Sequence, residues 1–315
     1  MTLNDLYSTP TSNDFALLSQ VPSFSNWKEI QCLHGGFSAD KKYRVQTTDG
    51  HKLLVRISDL STYEQKHRQF QLMKKLNEKN LNIPHAIDFS TLNSSHVCTI
   101  LSWVEGNDAR EEIVKLSEQD QIRLGHEAGR ILREIHQVPI EQSFNWSEFF
   151  AAKIHRKIQK AKALSLSKPI PKLERIIEFV EENISLMSNR ILTIEHGDYH
   201  LGNMVIHEGH LGIVDFERID ISDGYDDFKP FCWNVLVSPL FASALIDGYF
   251  EFRIPDDFFP LLALYAAEAL LGAMTWAAQF GVEQNDIMMD VHIKTLSWFD
   301  DFHRVIPSWY VNTSK

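Results

Sequence analysis

Cysteine is scarce in this 315-residue chain: Cys32, Cys98 and Cys232 are the only three, far apart and odd in number. No CxxC pair occurs, so neither a disulfide framework nor a thiolate zinc site is supported. The opening residues, MTLNDLYSTP, hold neither a basic n-region nor an apolar h-region, and no secretory signal is expected. A reducing, cytoplasmic setting is the expectation. Long apolar runs are missing too. Only LLALYAAEALLGAMTWAAQF, residues 261–280, nears the length of a membrane span, and Glu268 sits in its middle with no basic flank behind it. A buried helix of a large helical lobe is expected there, with no membrane association.

Basic residues are the third shortage, and it is local. The net charge is -11; residues 192–315 carry 6 Lys+Arg against 19 Asp+Glu, whereas residues 1–191 carry 25 against 23. So acidic a second part repels phosphate backbones, which argues against a nucleic-acid partner. It attracts a cationic small molecule, although a solvated acidic surface that aids solubility would show the same imbalance. What is present is ordinary for a globular protein: 44% hydrophobic and 23% charged residues, with length for one large domain or two lobes. No internal repeat or low-complexity tract appears.

The periodicities divide the chain near residue 106. Before it, WKEIQCLHGGFSADKKYRVQTTDGHKLLVRISD predicts three strands, the second connection carrying the Asp49-Gly50 hairpin dipeptide. STYEQKHRQFQLMKKLNEKN predicts a helix with Ser61 and Glu64 as a capping box. HAIDFS and HVCTILSWV predict two more strands. Five antiparallel strands and one helix over residues 1–105 make a small α+β lobe, with a hinge near Ser102–Gly106. Residues 106–315 are expected to be mainly helical. SEQDQIRLGHEAGRILREIH is amphipathic behind a Ser117 cap, and a last helix is expected near VHIKTLSWFDDFHRV. Short strands are expected at ILTIEH, NMVIHE and LGIVDF.

The densest chemistry is EHGDYHLGNMVIHEGHLGIVDFE, residues 195–217. His196, Asp198 and His200 alternate like metal ligands, with His207 and His210 nearby. Glu208-Gly209, however, has the look of a hairpin tip, which places those last two imidazoles beside a turn and away from Asp198. Phosphoryl transfer fits better. Asp198 precedes Asn203 by five residues, the spacing of a catalytic loop whose aspartate takes a hydroxyl proton and whose asparagine ligates magnesium. Asp215 closes the apolar strand of GIVDFE, where a magnesium carboxylate belongs, and oxygen ligands suit magnesium better than imidazole.

HGDYHLGN followed by GIVDFE resembles the signature of the aminoglycoside phosphotransferase and choline-kinase-like families, which share the protein-kinase fold. LHGGFSADKKYRV, KLLVRIS, LSWVEG and GHEAGRILREIH resemble the nucleotide loop, third strand, hinge and first long helix of those families, so the likeness covers most of the chain. It implies a two-lobed kinase-like fold, ATP or GTP as donor with Mg2+, and a small-molecule hydroxyl as acceptor, aminoglycoside-like or that of choline, a sugar or an amino alcohol; a catalytically silent nucleotide- or ligand-binding module on the same fold is the alternative. The partners expected are therefore a nucleoside triphosphate and a cationic small molecule, with the protein a monomer or homodimer. By position, Asp198 matches the catalytic base, and Asn203 and Asp215 the magnesium ligands. Gly35, Gly36 and Ser38 fall on the nucleotide loop, Ser102 and Val104 on the hinge. His200 stands where protein kinases carry a lysine near the transferred phosphate, and either contacts it or orders the loop. The third-strand lysine is replaced by Arg56, a bidentate phosphate binder. The helix glutamate that would pair with it aligns with Gln69, which can offer only a neutral hydrogen bond; Glu64 is a second candidate. Asp223, Asp226, Asp227 and Glu268 are the acidic candidates for a cationic acceptor, with Asp290 behind them, while Tyr225, Phe231, Trp233 and Trp276 could form an aromatic wall.

Overall fold

The computed structural model describes residues 7–35, 38–141 and 143–313. They fold as two compact units, the first ending at Gly106 and regaining Gly212–Ile219, the second formed by Asn107–Leu211 and the residues from Asp220 onward. The division at residue 106 is where the periodicities change. Gly212–Ile219, expected in the second lobe, groups with the first unit, and it carries Asp215 with it.

The first unit is an antiparallel sheet of β1 (Tyr7–Ser8), β2 (Trp27–Leu33), β3 (Lys41–Thr47), β4 (Lys52–Asp59), β5 (Ala86–Thr91) and β6 (His96–Ser102), in the order β1-β2-β3-β4-β6-β5. The five expected strands are there, and a two-residue strand extends the β2 edge. Strand alternation sends Tyr43, Val45, Val55 and Ile57 to a core that also takes Leu18, Cys98 and Ile100. The same alternation turns Lys42 and Arg56, which face each other in the β3–β4 register, to the opposite side. Gly50 adopts φ +91° in the hairpin between them, as Asp-Gly turns require.

Two helices complete this unit, α1 (Ser12–Leu18) and α2 (Tyr63–Leu76). The first lies in a stretch that looks merely polar, and Thr11 with Asp14 forms a capping box there. Asp14 is buried yet satisfied: Tyr43 Oη (2.7 Å) and Lys41 Nζ (2.8 Å) donate to it, and these bonds outweigh burial to hold its carboxyl well below the usual range. The box expected at Ser61 and Glu64 does not form. Helix α2 begins later, and Asp59 instead accepts from the Ser61 N–H at 2.8 Å to cap a short 3-10 turn before it.

The second unit starts with β7 (Asn107–Asp108), α3 (Ala109–Ile113), α4 (Glu118–His136), α5 (Trp146–Ser165) and α6 (Leu173–Asn183). Four short strands follow, β8 (Leu192–Glu195), β9 (Met204–His207), β10 (His210–Ile213) and β11 (Asp220–Asp223), then α7 (Phe231–Val235), α8 (Pro239–Tyr249), α9 (Phe258–Ala277) and α10 (Val282–Trp298). The last helix begins nine residues before the segment expected from sequence, 282 against 291. Strand β8 pairs antiparallel with β11, and β9 with β7, so both ends of the histidine-rich window are pinned. Ser117 caps α4 as expected, accepting the Asp120 N–H at 3.2 Å. The apolar helix α9 is packed inside this unit, with Glu268 wholly buried.

Candidate active site

Residues 196–203 leave β8 as a loop whose backbone is held at almost every step. The Asp227 carboxylate accepts the N–H of His196 (2.7 Å) on one oxygen and of Gly197 (2.7 Å) on the other. His136, from the end of α4, approaches the first of these oxygens through Nε2 at 3.1 Å, its Nδ1 lying 2.8 Å from the Tyr249 hydroxyl. His196 is fully buried, and its Nδ1 accepts the Asp198 N–H at 3.2 Å. Gly197 takes φ +83°, a conformation open to glycine at no cost. Farther on, Asn234 accepts the Leu201 N–H (2.7 Å), and Tyr199 donates to the Ala128 carbonyl (2.7 Å).

This cradle fixes Asp198 at the surface of the loop, its side chain about a quarter exposed. His200 accepts the Gly202 N–H on Nδ1 at 2.9 Å, and its Nε2 lies 3.5 Å from the Asp198 carboxylate. His200 is thus tied to the backbone of its own loop. Asn203 donates its amide to the Asp198 carbonyl at 2.9 Å, which turns Oδ1 away as an acceptor. Beyond it, Glu208 (φ 49°) and Gly209 (φ 80°) form the expected turn, with His207 and His210 exposed.

In the first unit, Asp215 sits at φ 62°, ψ 56°, a left-handed conformation that non-glycine residues seldom adopt. Arg56 Nη2 donates to its carboxylate at 2.5 Å. Gln69 does not pair with Arg56: it donates to the Glu217 carbonyl at 2.5 Å, while the Glu217 carboxylate lies 3.3 Å from Arg56. Glu64 is exposed and is not the partner either. Ser38 of the nucleotide-loop region donates to Glu217 and accepts the Asp40 N–H (3.1 Å), and Gly35 takes φ +115°. Gly36 lies outside the described residues. Arg56, Lys66, Gln69, Asp215 and Glu217 line a pocket together with Phe70. At the end of β6, Ser102 exchanges two hydrogen bonds with His85 (2.7 and 2.9 Å), and Val104 is buried.

The second unit thus carries an aspartate on a cradled loop with an asparagine five residues on, and the first unit a left-handed aspartate after a strand. Residues 29–260 match the phosphotransferase enzyme family. The chain belongs to that family. No curated protein matches it. Among solved structures, the apo form of a thermostable mutant of aminoglycoside phosphotransferase APH(4)-Ia is similar at TM-score 0.68 and 13% identity, over 88% of this chain and 96% of that one. The gentamicin complex of APH(2")-IIa gives 0.61 at 17% identity over 92% and 96%. Amicoumacin kinase hAmiN, in complex with AMP-PNP, Ca2+ and Ami, gives 0.60 at 14% over 88% and 90%. The phosphotransferase thus has the two-lobed, kinase-like α+β fold expected from its sequence.

The four acidic residues proposed for a cationic acceptor do other work in this phosphotransferase. Asp227 holds the loop of residues 196–203. Asp223 binds Arg190 through two contacts (2.8 and 3.2 Å) and accepts from Tyr265 at 2.7 Å. Asp226 pairs with Lys229 at 2.6 Å. Glu268 meets Lys157 (2.7 Å) and Lys153 (3.0 Å). Burial alone would push the Glu268 carboxyl up, but Lys229, Lys157 and Lys153 together hold it well below the ordinary range, hence ionised. All four are under a tenth exposed, Asp223, Asp226 and Glu268 beside cations of their own unit and Asp227 on backbone N–H groups. Phe231 belongs to an aromatic core with Trp298, Phe299 and Trp309. Sequence reasoning missed His136 and Asn234 as loop holders. The signal for Asn234 was a lone amide inside the apolar helix FCWNV, a residue that burial obliges to find partners.

The residues present suit a nucleotide and a hard cation. Arg56 Nε is a buried donor with no hydrogen-bond partner among the described residues, in a guanidinium whose Nη2 contact to Asp215 phosphate can replace. Asn203 Oδ1 and the Asp215 carboxylate are oxygen ligands of the kind magnesium takes.

Proposed function

We propose that this phosphotransferase moves the γ-phosphoryl group of ATP or GTP, with magnesium, onto a hydroxyl of a small cationic molecule of the aminoglycoside kind. The observation that carries the reading is the doubly anchored loop that presents Asp198. With Asp227 on two successive N–H groups and Asn203 on its own carbonyl, Asp198 is set before a substrate arrives, and catalysis of phosphoryl transfer is mostly such positioning. Asp198 accepts the proton of the acceptor hydroxyl as the oxygen–phosphorus bond forms, and Arg56 holds the donor phosphates. Bound magnesium would supply charge neutralisation at those phosphates, with Asn203 and Asp215 as its protein ligands. A cationic acceptor is supported by the acidity of residues 192–315, and relatives in fold include complexes with ADP and hygromycin B and with gentamicin.

A second acceptor class, a metabolic amino alcohol, choline or sugar, is favoured by one observation. The carboxylates that would have recognised a polyamine are spent inside the second unit. A mass-spectrometric transfer assay decides between the two. The protein is given magnesium, ATP or GTP, and a panel of aminoglycosides, macrolides, choline, amino alcohols and sugars, with Asp198→Asn beside it. One panel member is expected to gain a phosphoryl group with the unaltered protein, at a rate ~1000-fold or more above the variant. Transfer retained by Asp198→Asn would remove Asp198 from the chemistry.

A further inference from the structure

A kinase-like third strand needs an anion beside its cation, because a long side chain held by nothing loses its aim at the phosphates. In this chain the helix position that would supply the anion is Gln69, and its amide goes elsewhere. Three cations of the first unit meet one carboxylate instead. Glu217 lies 3.3 Å from Arg56 on β4, 3.4 Å from Lys42 on β3 and 3.6 Å from Lys66 on α2. All three cationic side chains are no more than 13% exposed, so these pairs are poorly screened by water. Ser38 donates to the same carboxylate, and Gln69 grips the Glu217 carbonyl at 2.5 Å. Helix, strand and nucleotide loop thus converge on a residue two positions after Asp215.

We propose that Glu217 is the positioning residue for the donor site. It takes the place of the missing helix glutamate, orienting Arg56 for the phosphates and tying Ser38 of the nucleotide loop to the same point. Gln69 acts one step back by fixing the Glu217 backbone, so α2 still reaches Arg56, through a neutral hydrogen bond and then an ion pair. The inference rests on the donor reading above and adds a residue to it. Glu217 keeps the guanidinium plane of Arg56 in place while Asp215 yields its contact to an incoming phosphate.

The test is a double-mutant cycle on nucleotide affinity, read by titration of a fluorescent ATP analogue with and without magnesium. Glu217→Gln keeps the shape and the Ser38 contact while removing the charge, and thermal denaturation checks that each variant is folded. In the unaltered background Glu217→Gln is expected to weaken binding about 10-fold. In the Arg56→Ala background it should weaken binding less than about 2-fold, since the residue it positions is gone. A full loss in both backgrounds would overturn the proposal, as would no loss in either. A loss that appears only with magnesium would also overturn it, making Glu217 a cation ligand. If the unaltered protein binds no nucleotide, the donor reading fails and this inference with it. Binding that ignores Glu217 sinks the inference alone.

Discussion

Gly202 has no room for a side chain. A Cβ there would lie 2.6 Å from His200 Cε1 and 2.9 Å from Nδ1, the atom that accepts the Gly202 N–H. The next atom, Arg110 Cδ, is at an ordinary 3.5 Å, so the imidazole is what must give way. Gly202→Ala is therefore expected to swing His200 out and loosen the loop around Asp198 with little harm to the fold. If His200 orders the loop, as its bonds indicate, kcat should fall about 10-fold while the melting temperature drops by only a few degrees. Steady-state kinetics beside calorimetry would separate the two effects. An unchanged kcat would mean that the ring is dispensable for presenting Asp198. Asp227 shows the same scale from the other side: its carboxylate, plausible from sequence as a substrate contact, is consumed by two backbone N–H groups. A carboxylate that satisfies a loop and one that greets a ligand look alike in a sequence, because only the third dimension says which partners arrive first.

Between elements, the closest packing is α4 on α8. A Cβ on Gly129 would stand 2.2 Å from the Leu245 carbonyl oxygen and 2.4 Å from the Tyr249 nitrogen; one on Gly125 would meet Phe241 O and Ala244 Cβ at 2.6 Å. Gly248 answers from the other helix, 2.5 Å from His126 O. These neighbours are backbone and cannot turn aside. Gly129→Ala should accordingly destabilise the protein by ~3 kcal/mol, read as the shift of a urea midpoint, although alanine is the better helix former. Because α4 ends in His136, which touches Asp227, the same substitution should lower activity in proportion to any helix displacement. The amphipathic pattern of α4 was legible in GHEAGRILREIH, yet its two glycines read there as weaknesses rather than as a packing face. The rest divides in the same way. Strand alternation, the Asp49-Gly50 hairpin, the Ser117 cap and the D-x-x-x-x-N loop are local, and each stands where the sequence predicts it. The non-local features were hidden: Gly212–Ile219 joining the first unit, and Glu217 taking the place of Gln69 beside Arg56. Helix α1 was hidden for another reason, since a seven-residue helix is too short for periodicity to register.

At the scale of the whole molecule, two carboxyls of the acidic second unit respond to pH in opposite directions. Glu268, depressed by three lysines, lends stability above the ordinary carboxylate pKa and withdraws it only as pH falls through its lowered value. Glu195 runs the other way. It ends β8, one residue before the catalytic loop, and burial pushes its carboxyl well up, with Asp226 and Asp227 adding to the rise while Lys229 and the Ser222 hydroxyl restrain it. A raised carboxyl means that the folded state binds more proton than the unfolded chain between the ordinary glutamate value and the raised one. Stability must then fall as pH climbs through that window, by the linkage relation. Glu195→Gln removes the titration while keeping an acceptor for Ser222. The variant should melt with the unaltered protein at about pH 3, where Glu195 is protonated in both states, and should gain on it by several degrees toward pH 8. A melting-temperature difference that stays flat across that range would show that Lys229 and Ser222 hold Glu195 ionised in the folded protein. The charge beside the catalytic loop would then be part of the field that Asp198 works in, and Glu195→Gln would lower the rate rather than raise the melting temperature.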